Sequence, residues 1–391
     1  MTKVNPELIK DIKKYGAFDV SACFNCGNCT AVCPLSTAKY SFPRQMIRRA
    51  SIGDEKTILS KKEMWLCYYC GECSKTCPRE AKPGAFMAAA RRYAIAKADL
   101  TGVTGLLYKY PVFNFIFMTL MAVLFGLFMY ANRVEARGGE KLIEIFNIPY
   151  HLIHNTGLAA MIVATLALLS GMLIITLREL DVKYMLEFIF KKREKPLGFK
   201  YIAGLTMNII KTVLQEMFAF KRFRECDEEK KEIPLLLKPW FLHGTVAWGF
   251  MGLFLSTALN FMFKDPAIKA ALWYPPRFIG IIAGILLLYG ATVIIMKRLN
   301  PKQVNYANST FSDWWFILTL WFIGLTGFIL TVLVYLPAVD QNMADILFII
   351  HVAPAMQIVV MAAFTKLAHV FYRTHALIVH NLMEEIRQEA K

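Results

Sequence analysis

The chain has 391 residues and carries 45 Lys and Arg against 29 Asp and Glu, which gives a formal net charge of +16. Hydrophobic residues nevertheless make up 56% of the sequence. A basic soluble protein gains charge at the expense of apolar residues, so this combination excludes an ordinary soluble enzyme and a nucleic-acid module dominated by a charged face. The length exceeds that of a typical single domain, and we expect a membrane protein with a polar appendage.

Residues 1–111 form the predicted appendage, because they contain no apolar run long enough to cross a bilayer. Eight of the nine cysteines lie here, and the N-terminus lacks the apolar core of a secretion signal. A reducing cytosol would open disulfides, so these cysteines are expected to bind metal. Two motifs contain them, namely Cys23-Phe-Asn-Cys26-Gly-Asn-Cys29-Thr-Ala-Val-Cys33-Pro34 and Cys67-Tyr-Tyr-Cys70-Gly-Glu-Cys73-Ser-Lys-Thr-Cys77-Pro78.

Both motifs have the C-x2-C-x2-C-x3-C-P spacing that binds [4Fe–4S] clusters in two-cluster ferredoxins, where the fourth cysteine of each run ligates the other cluster. The spacing predicts one cluster on Cys23, Cys26, Cys29 and Cys77, and another on Cys67, Cys70, Cys73 and Cys33. Structural zinc is the alternative, but zinc sites pair two C-x2-C units. No dinucleotide fingerprint, covalent haem motif or adjacent Cys-Cys pair occurs, so we expect this domain to relay electrons. The ninth cysteine, Cys226, is predicted to be a free thiol in a charged loop.

Six long apolar stretches predict membrane-spanning helices. They cover residues 112–131, 152–177, 237–262, 276–296, 312–337 and 345–370. Residues 201–218 have helical apolar spacing interrupted by polar side chains, which predicts an amphipathic surface helix. With the N-terminus inside, 39 of the 45 cationic residues fall on the cytoplasmic side and six on the other. The positive-inside rule therefore predicts the cytoplasmic membrane with both termini in the cytoplasm, and residues 371–391 as a cytoplasmic tail.

Five of the seven histidines lie in or beside these spans, where an ionisable side chain is costly and usually functional. His351 and His369 are 18 residues apart, or five turns of one helix, so we expect both on one face near opposite surfaces. The topology then pairs His154 with His351 at the outer surface and His243 with His369 at the inner one. We predict two bis-histidine haem b groups on these pairs, with His151 as an alternative to His154. An interfacial side chain bonded to a carbonyl is the other interpretation of each histidine.

Two further groups of residues carry weaker predictions. Arg277, beside Trp273 and Tyr274, is a candidate donor to a quinone carbonyl, although an interfacial anchor is the simpler interpretation. His375 and His380 lie in the predicted tail, where solvated side chains are expected.

Two segments resemble known families, and so does their fusion in one chain. FTKLAHVF (364–371), with a histidine 18 residues upstream of His369, resembles the nitrate reductase gamma-type cytochrome b family, which implies two haems between spanning helices and a reaction with quinol. In that family one helix supplies both remaining ligands, whereas this sequence offers one candidate position in each of spans two and three. Residues 1–111, including REAKPGAFMAAARRYAIA (79–96), resemble the small iron–sulfur subunit of heterodisulfide reductases. The fusion of these two parts resembles the fused iron–sulfur and cytochrome b subunit of the quinone-interacting membrane-bound oxidoreductase (Qmo) complexes of sulfate reducers.

The predicted fold is all-α, with an N-terminal α-helical ferredoxin-like domain at 1–111 and a six-helix transmembrane cytochrome b bundle at 112–370. The resemblance implies flavin- and iron–sulfur-containing partner subunits, menaquinone as the quinone, and a link to adenosine-5′-phosphosulfate reductase. The chain alone shows no site for substrate chemistry, so we expect an electron-transfer subunit. One alternative is the membrane anchor of a heterodisulfide reductase-like thiol/disulfide complex, and another is a transporter or redox sensor whose histidines line a proton or metal path.

Overall fold

The computed structural model describes residues 4–17, 20–37, 41–134, 142–143, 145–179, 199–227, 233–263, 269–300, 306 and 308–389. The described residues are mostly helical with almost no strand, as predicted, and they form two parts. An N-terminal domain of mostly short helices is followed by a bundle of long apolar helices. The charged run at 191–195 lies outside the described residues.

Short helices build most of the N-terminal domain, because glycines at positive φ, such as Gly53 at 73°, repeatedly turn the chain. The helices are α1 (Leu8–Lys13), α2 (Asn28–Ala31), α3 (Arg44–Ser51), α4 (Glu55–Ser60), α5 (Glu63–Leu66), α6 (Glu72–Lys75), α7 (Pro83–Ala98) and α8 (Val103–Lys109), with a 3-10 turn at Val20–Ala22. The longest, α7, is the centre of the core, where Phe86 and Met87 are fully buried beside Ile47 and Trp65.

Six helices are long and apolar enough to cross a membrane, and they coincide with the six predicted stretches. The first five are α9 (Pro111–Ala131), α10 (Tyr150–Glu179), α13 (Pro239–Phe263), α14 (Pro275–Leu299) and α15 (Phe311–Tyr335). Proline opens α9, α13 and α14, a position that needs no backbone donor. A capping box between Thr310 and Asp313 opens α15. The number of spans was therefore predictable from the length of the apolar runs.

The sixth predicted span is not one continuous helix. Helix α16 runs over Gln341–Val360, a 3-10 turn follows at Met361–Ala363, and α17 begins at Ala368 and ends at Glu389. Tight backbone bonds close this break, since the amides of Ala368 and His369 donate to the carbonyls of Thr365 and Lys366. The expectation of five unbroken helical turns between His351 and His369 is therefore wrong.

The region predicted as a tail begins inside α17 and packs against the rest of the protein. Tyr372, Ala376 and Leu377 are buried in the same apolar core as the N-terminal domain. His375 shares a hydrogen bond of 2.6 Å with the Thr176 hydroxyl, and His380 lies 3.3 Å from Glu384, so neither side chain is simply solvated. Burial of its apolar face explains why this segment is helical from its first residue.

Two smaller segments complete the described structure. Helix α11 (Phe199–Val213) continues as a π-helical turn at Leu214–Phe218, and α12 (Lys221–Asp227) follows. This agrees with the predicted amphipathic helix, because Met207 and Leu214 remain exposed while Asn208 bonds to Glu385 on α17.

A short antiparallel hairpin, β1 (Leu142–Ile143) and β2 (Phe146–Pro149), precedes α10. A 3-10 turn at Leu235–Leu237 leads into α13. The hairpin marks what we call the far end of the bundle. The junction end is the opposite one, where the N-terminal domain docks through the 2.7 Å ion pair of Arg92 with Asp313.

Candidate metal centres

The two cysteine motifs fold into matching loops. Asn25 and Tyr69, the residues before the second cysteine of each motif, have positive φ of 59° and 62°. Their amides donate to the first cysteine of the same loop, at 3.4 Å to the Cys23 Sγ and 3.3 Å to the Cys67 Sγ. A glycine in the left-handed region follows the second cysteine of both motifs. Each loop thus turns its sulfurs inward and donates backbone N–H groups to sulfur, the arrangement that iron–sulfur clusters use.

The structure groups the eight cysteines across the two motifs. Cys33 lines one cavity together with Cys67, Cys70 and Cys73. Cys29 lies near the remaining members of its own set, which are Cys23, Cys26 and Cys77. Each predicted crossed set is thus a spatial neighbourhood, although the crossed ligation itself stays a prediction. Below, the first cysteine group means the set with Cys23, and the second cysteine group means the set with Cys67.

Burial raises the pKa of the Cys33 thiol to about 12. In the described part of the chain, no three metal-binding side chains converge on a single point. A cubane does not require such convergence, because each of its four thiolates binds a different iron atom. The donor set therefore fits two clusters.

Cys226 lies beside the second cysteine group and not in an exposed loop. Its side chain is 7% exposed, lines the cavity of Cys33 and Cys67, and packs with Phe223 against Cys70. A hydrogen bond to Cys70 together with burial raises the pKa of the Cys226 thiol, which is therefore protonated at neutral pH. Cys226 is a free thiol, as expected, but its expected position in a charged loop is wrong. Helix α12 places its side chain inside the junction.

A half-buried cation also lies at the second cysteine group. Arg91 on α7 donates to the carbonyl of Met64 at 3.1 Å and to that of Cys67. Burial lowers the pKa of Arg91 to about 10, so the guanidinium remains charged at neutral pH. A fixed positive charge favours the more negative, reduced form of a cluster held at Cys67.

His243 and His369 meet at the junction end of the bundle. Their ring centres are 6.3 Å apart and the rings are inclined at 75°. A histidine nitrogen binds a metal at about 2.0 Å and lies about 1.1 Å from its ring centre, so two axial imidazoles on one iron have ring centres roughly 6 Å apart. The His369 Nδ1 donates to the carbonyl of Lys366, which leaves Nε2 for a metal. The observed separation of the ring centres therefore matches the one expected for two imidazoles on one iron.

Aromatic side chains connect this histidine pair with the second cysteine group. Tyr68, between Cys67 and Cys70, stacks on Phe223 with ring centres 4.7 Å apart and an interplanar angle of 18°. Phe223 in turn contacts the His243 ring at 5.7 Å. The contacts run without a gap from the cysteine loop to the histidine pair.

Ionic contacts hold the Tyr68 side chain, the first of these aromatic residues, in place. Arg373 on α17 lies over the Tyr68 ring at 3.8 Å and donates to the Tyr68 hydroxyl and the Trp65 carbonyl. Its Nη1 is 3.0 Å from Glu216, and both side chains are less than a tenth exposed. Arg222 binds the other oxygen of Glu216 at 3.2 Å. Sequence reasoning missed this network because each charge lies in a different segment with no common motif.

The far-end histidines are not brought together. His154 is exposed, and its ring contacts Tyr150 and Phe261 at 5.6 Å. His351 instead donates from Nδ1 to the Thr326 hydroxyl at 3.0 Å, because that hydroxyl gives its own proton to a backbone carbonyl. His151, the alternative ligand, is also exposed. The described residues show no contact between two far-end rings, so a haem there is not supported by this geometry.

Arg277 and one glycine of α13 have contacts typical of structural residues. Arg277 lies over the Tyr335 ring at 5.4 Å, which agrees with an interfacial anchor. Gly249 lets α13 approach α14, since a Cβ there would stand 2.6 Å from the backbone of Leu287. This glycine therefore serves close helix packing.

Comparisons with known proteins agree with the N-terminal assignment. A sequence profile described as a 4Fe-4S dicluster domain matches residues 19–81. The chain is similar to one subunit of the H(2):CoB-CoM heterodisulfide,ferredoxin reductase, with 36% identity over 95 residues to the proteins of Methanothermobacter thermautotrophicus and Methanothermobacter marburgensis. That match covers 24% of this chain, which spans about half the length of these curated relatives. No solved structure matches the chain significantly.

Proposed function

We propose that this chain is the membrane subunit of a respiratory electron-transfer complex, passing electrons among a quinone, haem b and two [4Fe–4S] clusters. The observation that carries the proposal is the unbroken run of contacts from Cys67 through Tyr68 and Phe223 to His243 and His369. An iron–sulfur site and a bis-histidine site joined in this way have no need of a diffusing carrier between them.

The residues of the chain hold, orient and insulate the redox groups. His243 and His369 would hold one haem b, and the Lys366 carbonyl fixes the ring orientation of His369. The cysteines would hold the clusters in the crossed sets, and buried apolar side chains pack against Cys23, Cys33 and Cys67. A bound haem or cluster supplies reversible one-electron chemistry, and the protein adjusts each potential through ligands, burial and hydrogen bonds.

Other parts of the proposal rest on sequence resemblance. Menaquinone as the quinone, flavin- and iron–sulfur-containing partner subunits, and delivery of electrons toward adenosine-5′-phosphosulfate reductase follow from the likeness to the fused subunit of the Qmo complexes. Two haems b follow from the likeness to the nitrate reductase gamma-type family, with His154 and His351 as candidates for the second. The cationic residues support a cytoplasmic-membrane location with the N-terminal domain inside.

A second candidate function is the membrane anchor of a heterodisulfide reductase-like complex. The similarity of the N-terminal region to a subunit of a heterodisulfide,ferredoxin reductase favours it. The two candidates differ in the partner, which must contain the substrate site. Identifying the proteins that co-purify with the chain separates them, because a thiol/disulfide partner supports the second candidate and a flavoprotein bound to a sulfate-reduction enzyme supports the first.

The electron path is tested by spectroscopy of the purified chain. We expect b-type bands in the reduced-minus-oxidised spectrum and about eight non-haem irons per chain. In Phe223→Leu we expect slower electron transfer between cluster and haem after rapid reduction, with unchanged amounts of both groups. Phe128→Leu, at an exposed aromatic of the far end, is the matched control.

Two results would contradict the proposal. The absence of b-type bands would contradict the haem in this proposal and would leave only its iron–sulfur clusters. A transfer rate in Phe223→Leu equal to that of Phe128→Leu would show that electrons take another route.

A further inference from the structure

A cavity opens between the first and fifth spans at the junction end. Helices α8 and α9 line one side, α15 lines another, and the break between α16 and α17 closes it. The lining includes aromatic rings, among them Tyr108, Trp315, Phe316 and Phe364. Asn114 and Trp315 lie three and four residues inside their helices, or about 5–6 Å along the axis, so the cavity is at the edge of the apolar layer.

Two polar atoms at this cavity lack partners in the described structure. Asn114 is 4% exposed, and its amide nitrogen donates to the Leu107 carbonyl at 2.8 Å and the Ser312 hydroxyl at 3.2 Å. The Leu107 carbonyl can only accept, which fixes the orientation of the amide and leaves Asn114 Oδ1 as a buried acceptor with no donor. The Trp315 Nε1 is a buried donor with no acceptor. Such atoms are costly inside a protein unless a ligand or water satisfies them.

One residue of the cavity wall also contacts the histidine pair. Lys366 lines it, and the Lys366 carbonyl accepts from His369 Nδ1. The Lys366 ammonium is 2.7 Å from Asp313, which also binds Arg92 of the N-terminal domain at 2.7 Å. A molecule in the cavity would thus be separated from the proposed haem by Lys366 and His369, and it would lie beside the charged groups of Lys366, Asp313 and Arg92.

We propose that this cavity binds the headgroup of the quinone, with Trp315 Nε1 and Asn114 Oδ1 as its hydrogen-bonding partners. The inference rests on the proposed function and places its substrate at the junction end. A quinone carbonyl accepts from the Trp315 N–H, and a quinol hydroxyl donates to the Asn114 oxygen. One free donor and one free acceptor therefore serve both redox forms of the ring.

The surroundings favour this ligand over a purely polar one. Aromatic walls suit a flat apolar ring, and Trp315 also contacts Phe115, an exposed side chain on the outer face of α9, at 5.7 Å. Phe115 thus connects the cavity wall with the exposed apolar face of α9, where the tail of a quinone would lie. The space is narrow, so we expect the Trp315 and Phe364 rings to turn as the headgroup enters.

The test is photolabelling of the full-length protein with an azido-naphthoquinone carrying a short isoprenoid tail, followed by peptide mapping. We expect the label within 103–118, 311–319 or 358–366, with protection by excess unlabelled naphthoquinone. Trp315→Phe keeps a ring and removes only the unpartnered N–H, so the Kd for the probe should rise about fivefold. Trp314→Phe, whose ring instead lies near Arg298 at 5.7 Å, is the matched control and should bind as wild type.

The label position in the unaltered protein decides the question even if a variant misfolds. Protectable labelling of far-end peptides only, or equal Kd values for Trp315→Phe and Trp314→Phe, would overturn the site and leave the proposed function intact. No protectable labelling anywhere would indicate a water-filled cavity and would remove the quinone from the proposed function as well.

Discussion

The two ends of the bundle differ in the side chains that contact their histidines. At the junction end, the rings of His243 and His369 are in contact. Phe223 on α12 and Phe220, the residue before that helix, both contact the His243 ring. At the far end, His154 and His351 contact different helices. Sequence spacing treated the two pairs alike. The segments packed around two histidines therefore decide whether they form a ligand pair, and a shared depth in the membrane is not sufficient.

The largest expected effect comes from replacing single histidines, which compares the two ends directly. We expect His369→Ala to lose the junction-end haem and to lower the b-type absorbance by about half if a second haem is present. His375→Ala is the control, because that residue lies on the same helix but bonds to Thr176. Haem content is measured as the pyridine adduct. Full haem content in His369→Ala would show that the pair does not bind haem.

The same measurement on His154→Ala separates the two ends. If His154 holds a far-end haem, its loss lowers the absorbance while the junction-end haem remains. Unchanged haem in His154→Ala, together with loss in His369→Ala, would show that only the junction end binds haem through these residues.

The ionic network of the junction gives the next largest effect. Arg373→Met leaves the buried carboxylate of Glu216 without one of its cations, which should cost about 3–5 kcal/mol of docking and folding stability. Denaturant unfolding followed by cluster absorbance measures it. The far-end control, Arg277→Met, removes a cation from the Tyr335 ring and should cost only about 0.5–1 kcal/mol.

A double variant separates the contribution of the Arg373–Glu216 charge pair from that of side-chain packing. Adding Glu216→Gln to Arg373→Met removes the stranded charge, so part of the lost stability should return. Equal losses in the single and double variants would mean that packing of the Arg373 side chain on Tyr68, and not charge pairing with Glu216, holds the junction.

Much of the fold was predictable because its causes are local. The length of the apolar runs predicted six spans, and the cysteine spacing predicted two groups whose members cross between motifs. The break after Val360 was not predictable, since residues 361–367 contain no glycine or proline, while Pro354 lies inside the α16 helix. Its cause is long-range, namely the packing of α17 on the N-terminal domain.

The junction was the least predictable part of the candidate site. Tyr68, Phe223 and Arg373 are far apart in sequence, and each has an ordinary local role as an aromatic or surface residue. Only the docking of α12 and α17 onto the second cysteine loop brings them together. Spacing motifs report ligands that share a loop, and they carry no information about side chains that meet across domains.

The smallest expected effect comes from Cys226, which belongs to the junction but has no iron to bind, since a cubane takes four thiolates. As a protonated thiol bonded to Cys70, it stabilises the reduced cluster more than the oxidised one. Cys226→Ala should therefore lower the midpoint potential of the cluster at the second cysteine group. One hydrogen bond of about 1 kcal/mol corresponds to about 40 mV for a one-electron couple, and a weak S–H donor gives less.

Redox titration followed by electron paramagnetic resonance resolves such a shift. Cys226→Ser retains a donor and should stay closer to the wild-type potential, while the iron content of both variants should be unchanged. Loss of iron in Cys226→Ala would instead make this residue a ligand and would displace one of Cys33, Cys67, Cys70 and Cys73 from the second cysteine group. The outcome therefore decides whether the fifth thiol at this cavity adjusts the cluster or binds it.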